Sequence, residues 1–257
     1  MFEIIETHCH LDYLKNKPLD EILSEAKSNG ISKLITISVE PDNLDTAFEL
    51  SQTHNNIFCT QGIHPHDAKL SSNEALEKIE SRQRESKVVA VGEIGLDYHY
   101  DNSPREIQKK VFEQQLDIAI RTEKPVVIHS RDADEDMIKI LTKKSPQMKL
   151  KGVIHSFTSG PDLAKHAINL GFYLGFNGII TFKNAHEVRE IVKLCPLNRI
   201  LLETDSPFLT PVPHRGKENS PTYLPYILSK VAEIKALSED EVARVCLKNS
   251  KELFKLN

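Results

Sequence analysis

Two histidines one residue apart, His8 and His10, stand near the start of the chain. In extended backbone, residues two apart point to the same side. Both imidazoles can therefore close on one cation, while Cys9 between them faces elsewhere. Further along come His64 and His66 around Pro65, then Glu93 and Asp97, His129 and Arg131, His155, and finally Glu203 and Asp205. Imidazoles and carboxylates in one set suit Zn, Mn, Fe or Co and accept Mg less readily. His8, His10, Glu93, His129, His155 and Asp205 make six candidate metal ligands, more than one tetrahedral zinc needs. The count favours two divalent ions (Zn, Mn or Mg) ~3.5–4 Å apart, with a carboxylate between them to offset their repulsion. Glu93 is the bridging candidate. His8, His10 and Asp205 are assigned to one ion, and His129 and His155 to the other.

The chemistry expected of such a set is hydrolysis. A metal ion lowers the pKa of bound water toward ~7 and polarises the substrate oxygen. Asp205 and Glu93 are the catalytic candidates, Asp205 both as a ligand and as acceptor of the water's proton. Phosphoester, carboxyl ester and amide substrates all stay open. Arg131 can fork onto a phosphate, or is a surface arginine. His64 is placed to hydrogen-bond a phosphate, whereas His66 reads as structural. Glu203 either orients a ligand from behind or is a polar residue of the barrel core. Asp97 ranks low, as a loop or histidine anchor. The basic tip Pro213-His214-Arg215-Gly216-Lys217 either steers an anionic substrate or is a solvated loop.

Such scattered residues meet only if the fold gathers them. Short β-branched runs alternate with longer amphipathic segments along the chain. Eight strands are predicted: Phe2–Glu6, Lys33–Val39, Ile57–Gly62, Val88–Gly92, Pro125–His129, Gly152–His155, Phe172–Phe176 and Arg199–Glu203. Helices are predicted at Pro18–Asn29, Asp42–His54, Ser72–Glu85, Arg105–Thr122, Asp132–Lys144, Asp162–Leu170, Asn184–Leu194, Pro221–Lys235 and Ser238–Phe254. Gly30 and Gly171 read as residues that close helices. Ser103-Pro104 reads as an N-cap followed by a first-turn proline, and Ser238 to Glu241 as a capping box. Eight such units in 257 residues fit a single (β/α)8 TIM-barrel domain over residues 1–257. An open doubly wound sheet usually carries a Gly-rich turn after its first strand. Here Thr7-His8-Cys9-His10 occupies that place. In a barrel the C-terminal strand ends converge on one face, and every candidate ligand follows or ends a predicted strand.

Composition narrows the partners. Net charge is −4, with 33 Lys and Arg against 37 Asp and Glu, which excludes a broadly basic nucleic-acid coat but not a local grip on a few phosphates. No apolar run reaches the ~18 residues of a membrane span, and Met1–Glu6 lacks signal-peptide character, so a cytoplasmic protein without membrane contact is expected. Cys9, Cys59, Cys195 and Cys246 form no CxxC pair and read as reduced core residues, with a ligand role for Cys9 the lesser alternative. Nothing indicates an obligate protein partner, and a monomer is expected.

Six motifs, in order, resemble the TatD family of metal-dependent deoxyribonucleases: Thr7-His8-Cys9-His10-Leu11-Asp12, Gly62-Ile63-His64-Pro65-His66, Gly92-Glu93-Ile94-Gly95-Leu96-Asp97-Tyr98, His129-Ser130-Arg131, His155-Ser156-Phe157 and Glu203-Thr204-Asp205-Ser206-Pro207. Pro211 to Asn219, followed by Pro221, is similar to that family too, and the likeness runs from about residue 3 to residue 254. The resemblance implies an amidohydrolase-like barrel, a divalent metal pair, and hydrolysis of DNA phosphodiesters, often exonucleolytic. It carries His8, His10, Glu93, His129, His155 and Asp205 over as metal-site residues. DNA, as single strands or ends, is then the expected substrate. An ester or amide hydrolase, an aminoacyl-tRNA deacylase using the same metals, and a non-catalytic metal-binding barrel are the alternatives. The family usually begins Asp-x-His-x-His, whereas this chain has Glu6 at the acidic position.

Overall fold

A computed structural model describes residues 2–256. Eight parallel strands run in sequential order: β1 (Ile4–Cys9), β2 (Ile31–Thr36), β3 (Ile57–Gln61), β4 (Val88–Asp97), β5 (Val126–Arg131), β6 (Gly152–Ile154), β7 (Tyr173–Phe176) and β8 (Ile200–Leu202). The helices between them are α1 (Leu19–Ser28), α2 (Leu44–Thr53), α3 (Asn73–Arg82), α4 (Arg105–Thr122), α5 (Asp134–Lys144), α6 (Pro161–Asn169) and α7 (His186–Leu194). Two more, α8 (Leu224–Lys235) and α9 (Glu239–Phe254), follow β8. The sheet curls into a TIM barrel. Its ends meet beyond the strands, where Asp205 N–H donates to His8 O at 2.9 Å, His10 N–H donates to Ser206 O at 2.8 Å, and Cys9 bridges Ser206.

The buried side chains divide as this closure requires. Ile5, Ile35, Val89, Val127, Val153, Tyr173 and Leu201 come from seven different strands and pack with one another, which residues all round a sheet can do only inside a barrel. Leu253, Phe254 and Leu256, at the end of α9, join them. A larger set, including Ile4, Leu34, Ile57, Phe112, Leu174 and Val231, fills the layer between strands and helices.

Several boundaries differ from the sequence reading, each for a local reason. β4 does not stop at Gly92. It continues to Asp97, pairing Gly95 with His129 and Asp97 with Arg131, so Glu93 and Asp97 lie on the strand rather than after it. Gly95 is a close-approach residue: its φ is +143° and a Cβ there would sit 2.0 Å from His129 O, which only glycine permits. β1 likewise extends through His8 to Cys9. Pro41–Asn43 forms a 3-10 turn ahead of α2 instead of its first turn. Ser103 does not cap α4. Pro104 holds the N-cap position, and Ser103 Oγ instead donates to His66 O at 2.7 Å while accepting Lys69 N–H. Ser238 does cap α9, accepting Glu241 N–H at 3.2 Å, and Gly30 and Gly171 follow their helices with positive φ as expected. The four cysteines are free and buried. Cys9 Sγ turns away from the histidines to Ile35 O at 3.4 Å.

Candidate metal centre

The extended β4 sets Glu93 in the middle of the C-terminal mouth, and histidines from four other places in the barrel surround it. Its Oε2 lies 3.3 Å from His8 Nε2. Its Oε1 lies 2.7 Å from His155 Nε2, 3.2 Å from His129 Nδ1 and 3.4 Å from His64 Nε2. Asp205, on the turn after β8 with φ 57°, places Oδ1 3.6 Å from His8 Nε2 and 3.5 Å from His10 Nε2. All six sequence-predicted ligands thus converge on one site. Three groups could each hold a cation: His8, His10 and Glu93; His8, His155 and Asp205; and His64, Glu93 and His129.

These groups differ from the sequence-based partition in two respects. His155 stacks on His8 at 3.8 Å between centroids, the rings nearly parallel, and groups with His8 and Asp205 as well as facing Glu93. His64, expected to face a phosphate, turns Nε2 onto Glu93, and its Nδ1 accepts His66 N–H at 3.2 Å.

The donor atoms suit a metal. His8 Nδ1 and Nε2, His10 Nδ1, and His155 Nδ1 and Nε2 are buried and make no hydrogen bond. The Nε2 atoms of His8 and His155 approach Glu93 closely, but not with the alignment of a hydrogen bond. Buried polar nitrogens without partners are rare and costly, and in-plane lone pairs converging on carboxylates are what coordination uses. Burial works against ionising Glu93, yet the nearby His155, His64 and His129 hold its carboxyl well below the usual range. Asp205 is held low against its burial by His10 and His8. Burial and His155 push His8 down, and burial with His129 brings His64 down to about 4. Burial also opposes protonation of His155, but Glu93 and Glu203 raise it well above the ordinary imidazole value.

A further layer of groups positions these side chains. Asp97, ranked low from sequence, has a central place. Its Oδ2 accepts from His129 Nε2 and His66 Nε2, both at 3.0 Å, and its Oδ1 accepts the N–H groups of His99 and Tyr100. Gln108 of α4 then clasps Asp97's own backbone, accepting its N–H at 2.8 Å and donating to its carbonyl at 2.9 Å. Glu203 Oε1 accepts Ser156 N–H at 2.5 Å and lies 3.7 Å from His155 Nδ1. A Cβ at Gly175 would meet Glu203 Oε2 at 2.4 Å, so that glycine makes room for the carboxylate. Glu6 takes no place among the cation-holding groups. Its Oε1 accepts the backbone N–H of His8 at 3.1 Å and of Thr204 at 2.9 Å, joining β1 to the segment after β8. Burial pushes its carboxyl up to about 8.

Above this floor opens a cavity of about 660 Å³, lined by His10, His64, His129 and His155 and by Tyr13, Tyr100, Arg131, Ile179 and Phe208 among others. Arg131 is exposed, its guanidinium 5.0 Å from the Tyr100 ring centroid. The basic tip does not line this cavity. His214 stacks on Tyr223 at 4.3 Å, and Arg215 lies over Phe182 at 3.9 Å.

A TIM barrel with histidines and carboxylates gathered at its C-terminal mouth defines the class, that of metal-dependent hydrolases. Residues 5–255 match the family described as TatD related DNase, and the chain belongs to that family. It is 38% identical over 255 residues to the metal-dependent hydrolase YabD of Bacillus subtilis, covering 99% of this chain and 100% of the relative. It is 34% identical to the metal-dependent hydrolase YcfH of Escherichia coli K12, covering 99% and 96%. The crystal structure of YjjV, a TatD homologue from Escherichia coli K12, superposes with a TM-score of 0.91 at 30% identity, covering 99% of this chain and 98% of that one. No helix among the described residues is long and apolar enough to cross a membrane.

Proposed function

We propose that this protein is a deoxyribonuclease that hydrolyses phosphodiester bonds of DNA, at single-stranded regions or ends, with two divalent ions held by His8, His10, Glu93, His129, His155 and Asp205. His64 is added to that set. The observation that carries the reading is the placement of Glu93, with one carboxylate oxygen toward His8 and the other toward His155, His129 and His64. A carboxylate so flanked could hold divalent ions together with these imidazoles. Divalent ions bound there supply an activated water and neutralise charge on the phosphoryl oxygens.

The chain's own groups do the rest. Asp205 Oδ1, between His8 and His10 at the cavity wall, accepts the proton of the attacking water. Asp97 fixes the ring of His129 through Nε2, leaving Nδ1 directed at Glu93. Glu203 stands behind His155 as a nearby negative charge, 3.7 Å from Nδ1, without hydrogen-bonding it. Arg131, exposed at the cavity edge, forks onto a phosphate oxygen of the bound strand. The family description, TatD related DNase, supports DNA as the substrate. A net charge of −4 fits a footprint of a few phosphates rather than a long duplex track.

The test is incubation of the purified protein with end-labelled single-stranded DNA and Mg²⁺ or Mn²⁺. Nucleotide release that disappears in His129→Ala is the expected result. Absence of release, or release that His129→Ala leaves intact, overturns the proposal, and turnover of chromogenic carboxyl esters or N-acyl substrates instead would redirect it to acyl chemistry.

A further inference from the structure

Exposed large apolar side chains are ordinary when scattered singly. Among the described residues, two of them, Tyr100 and Phe208, stand on the rim of the site cavity, 55% and 52% exposed. They belong to opposite sides of the mouth. Tyr100 lies three residues beyond β4 and Phe208 six beyond β8, and in a sequentially ordered eight-stranded barrel those strands are half a turn apart.

Both are presented on pinned backbone. Phe208 N–H donates to Asp205 O at 2.9 Å, and its carbonyl accepts from Asn219 Nδ2. Asn219 is fully buried and also donates to Thr204 O at 2.8 Å. Tyr100 N–H donates to Asp97 Oδ1 at 2.9 Å, the carboxylate whose other oxygen holds His129 and His66. The rings thus stand in fixed relation to the metal centre. The Phe208 ring meets His10 edge-on at 6.0 Å and the Tyr100 ring meets His66 edge-on at 5.4 Å. The Arg131 guanidinium lies over one face of the Tyr100 ring, 5.0 Å from its centroid, a cation–π contact of the kind that accompanies base stacking.

The pattern across the mouth is therefore flat apolar ring, cation-suited floor, then a second ring with a guanidinium over one of its faces. A single strand offers the matching sequence of base face, phosphate and base face. A duplex keeps its base faces stacked inside and cannot offer them. Phe208 brings no hydrogen-bonding group to read a base edge, so contact with it is indifferent to base identity. A protein partner would want a contiguous apolar patch, whereas these rings are separated by the cavity.

We infer that Tyr100 and Phe208 are stacking platforms for unpaired nucleobases on either side of the scissile phosphate, and that they make the site select single-stranded ends without sequence preference. This rests on the nucleic-acid reading above. The test compares wild type, Tyr100→Ala, Phe208→Ala, Phe208→Leu and Phe208→Trp on a labelled single strand and on the same strand with abasic residues at its terminal positions. Each alanine variant is expected to raise KM on the ordinary strand on the order of tenfold or more. Phe208→Trp should restore KM and Phe208→Leu should not. The ratio of kcat/KM between ordinary and abasic strands should fall toward one in the alanine variants. Unchanged KM in these variants, equal loss on both strands, or full rescue by Phe208→Leu overturns the inference while leaving nuclease activity standing. A wild-type protein that cleaves neither strand removes both readings together.

Discussion

Asp97→Asn changes one atom and separates the demands placed on this side chain. In the native protein Oδ1 accepts two backbone N–H groups and Oδ2 accepts two imidazole nitrogens. All four partners donate, which suits an acceptor-only carboxylate and not an amide. Burial disfavours its charge, but His129, His66 and the Tyr100 amide hold its carboxyl well below the usual range. If the new amide nitrogen faces the histidines, His129 must accept at Nε2. Its proton then moves to Nδ1, the nitrogen 3.2 Å from Glu93, where it blocks a cation. If the amide nitrogen faces the backbone instead, the amides of His99 and Tyr100 lose their acceptor, at ~1–3 kcal/mol for each group left unsatisfied. The first arrangement costs less and is the one expected. Disturbing a group behind a metal-bound histidine typically weakens metal binding ~10–100-fold, or about 1.4–2.7 kcal/mol. Isothermal titration of the metal-free variant with Mn²⁺ or Zn²⁺ should show this loss for one ion, with the melting temperature of the metal-free protein little changed. Metal affinity equal to wild type would refute the role of Asp97, and a large fall in melting temperature without loss of affinity would make that role structural.

Glu93→Gln removes the charge shared by both groups of histidines and should lower kcat/KM by about three orders of magnitude or more in the nuclease assay, while the fold persists by circular dichroism. Gly175→Ala drives a methyl into Glu203, with a built contact of 2.4 Å to Oε2, and should cost ~1–3 kcal/mol of stability, read as a lower denaturation midpoint. Glu6→Ala strips the acceptor from the buried amides of His8 and Thr204 and should cost ~2–4 kcal/mol, whereas Glu6→Gln keeps an acceptor oxygen and should stay near wild type in the same measurement. His10, His129 and His155 carry raised pKa values against their burial because of Asp205, Asp97, Glu93 and Glu203. A proton on these imidazoles competes with a cation for the same nitrogens, and the raised pKa values extend that competition to higher pH than for a free histidine. Metal affinity should tighten as pH rises through neutrality and level off above their pKa values, with proton release visible in titrations run in buffers of different ionisation enthalpy.

Much of the site was legible because barrel geometry converts strand order into spatial convergence. His8 and His10 at period 2 share a face, and their common neighbour Asp205 Oδ1 bears this out. Part of what escaped the sequence depended on one strand. Gly92 read as the end of β4, so Glu93 was placed just beyond the strand and Asp97 in a loop. In fact Gly95 is the residue that lets β4 approach β5 closely and run on. Asp97 then follows Glu93 by four positions along one strand, a period-2 relation that would have placed both carboxylates on one face. His64 was read as facing a phosphate because it follows the third strand toward the site, and no local pattern reveals that Nε2 turns onto Glu93 instead. The partners of Glu203, Ser156 and the vacated Cβ position of Gly175, are long-range packing that composition and spacing do not carry. Helix interiors were read well from periodicity. The bounds of α4, Arg105–Thr122, were read as they stand, but its cap was not, because Ser103 has a tertiary partner in His66.

The claim that Glu93 bridges two cations is tested most directly by anomalous diffraction from crystals grown with Mn²⁺ or Zn²⁺, collected on both sides of the metal edge. Two peaks ~3.5–4 Å apart should appear on either side of the Glu93 carboxylate, one against His8 and His10 and the other against His129. A single peak at full metal occupancy, or two peaks with Glu93 contacting only one, would contradict it.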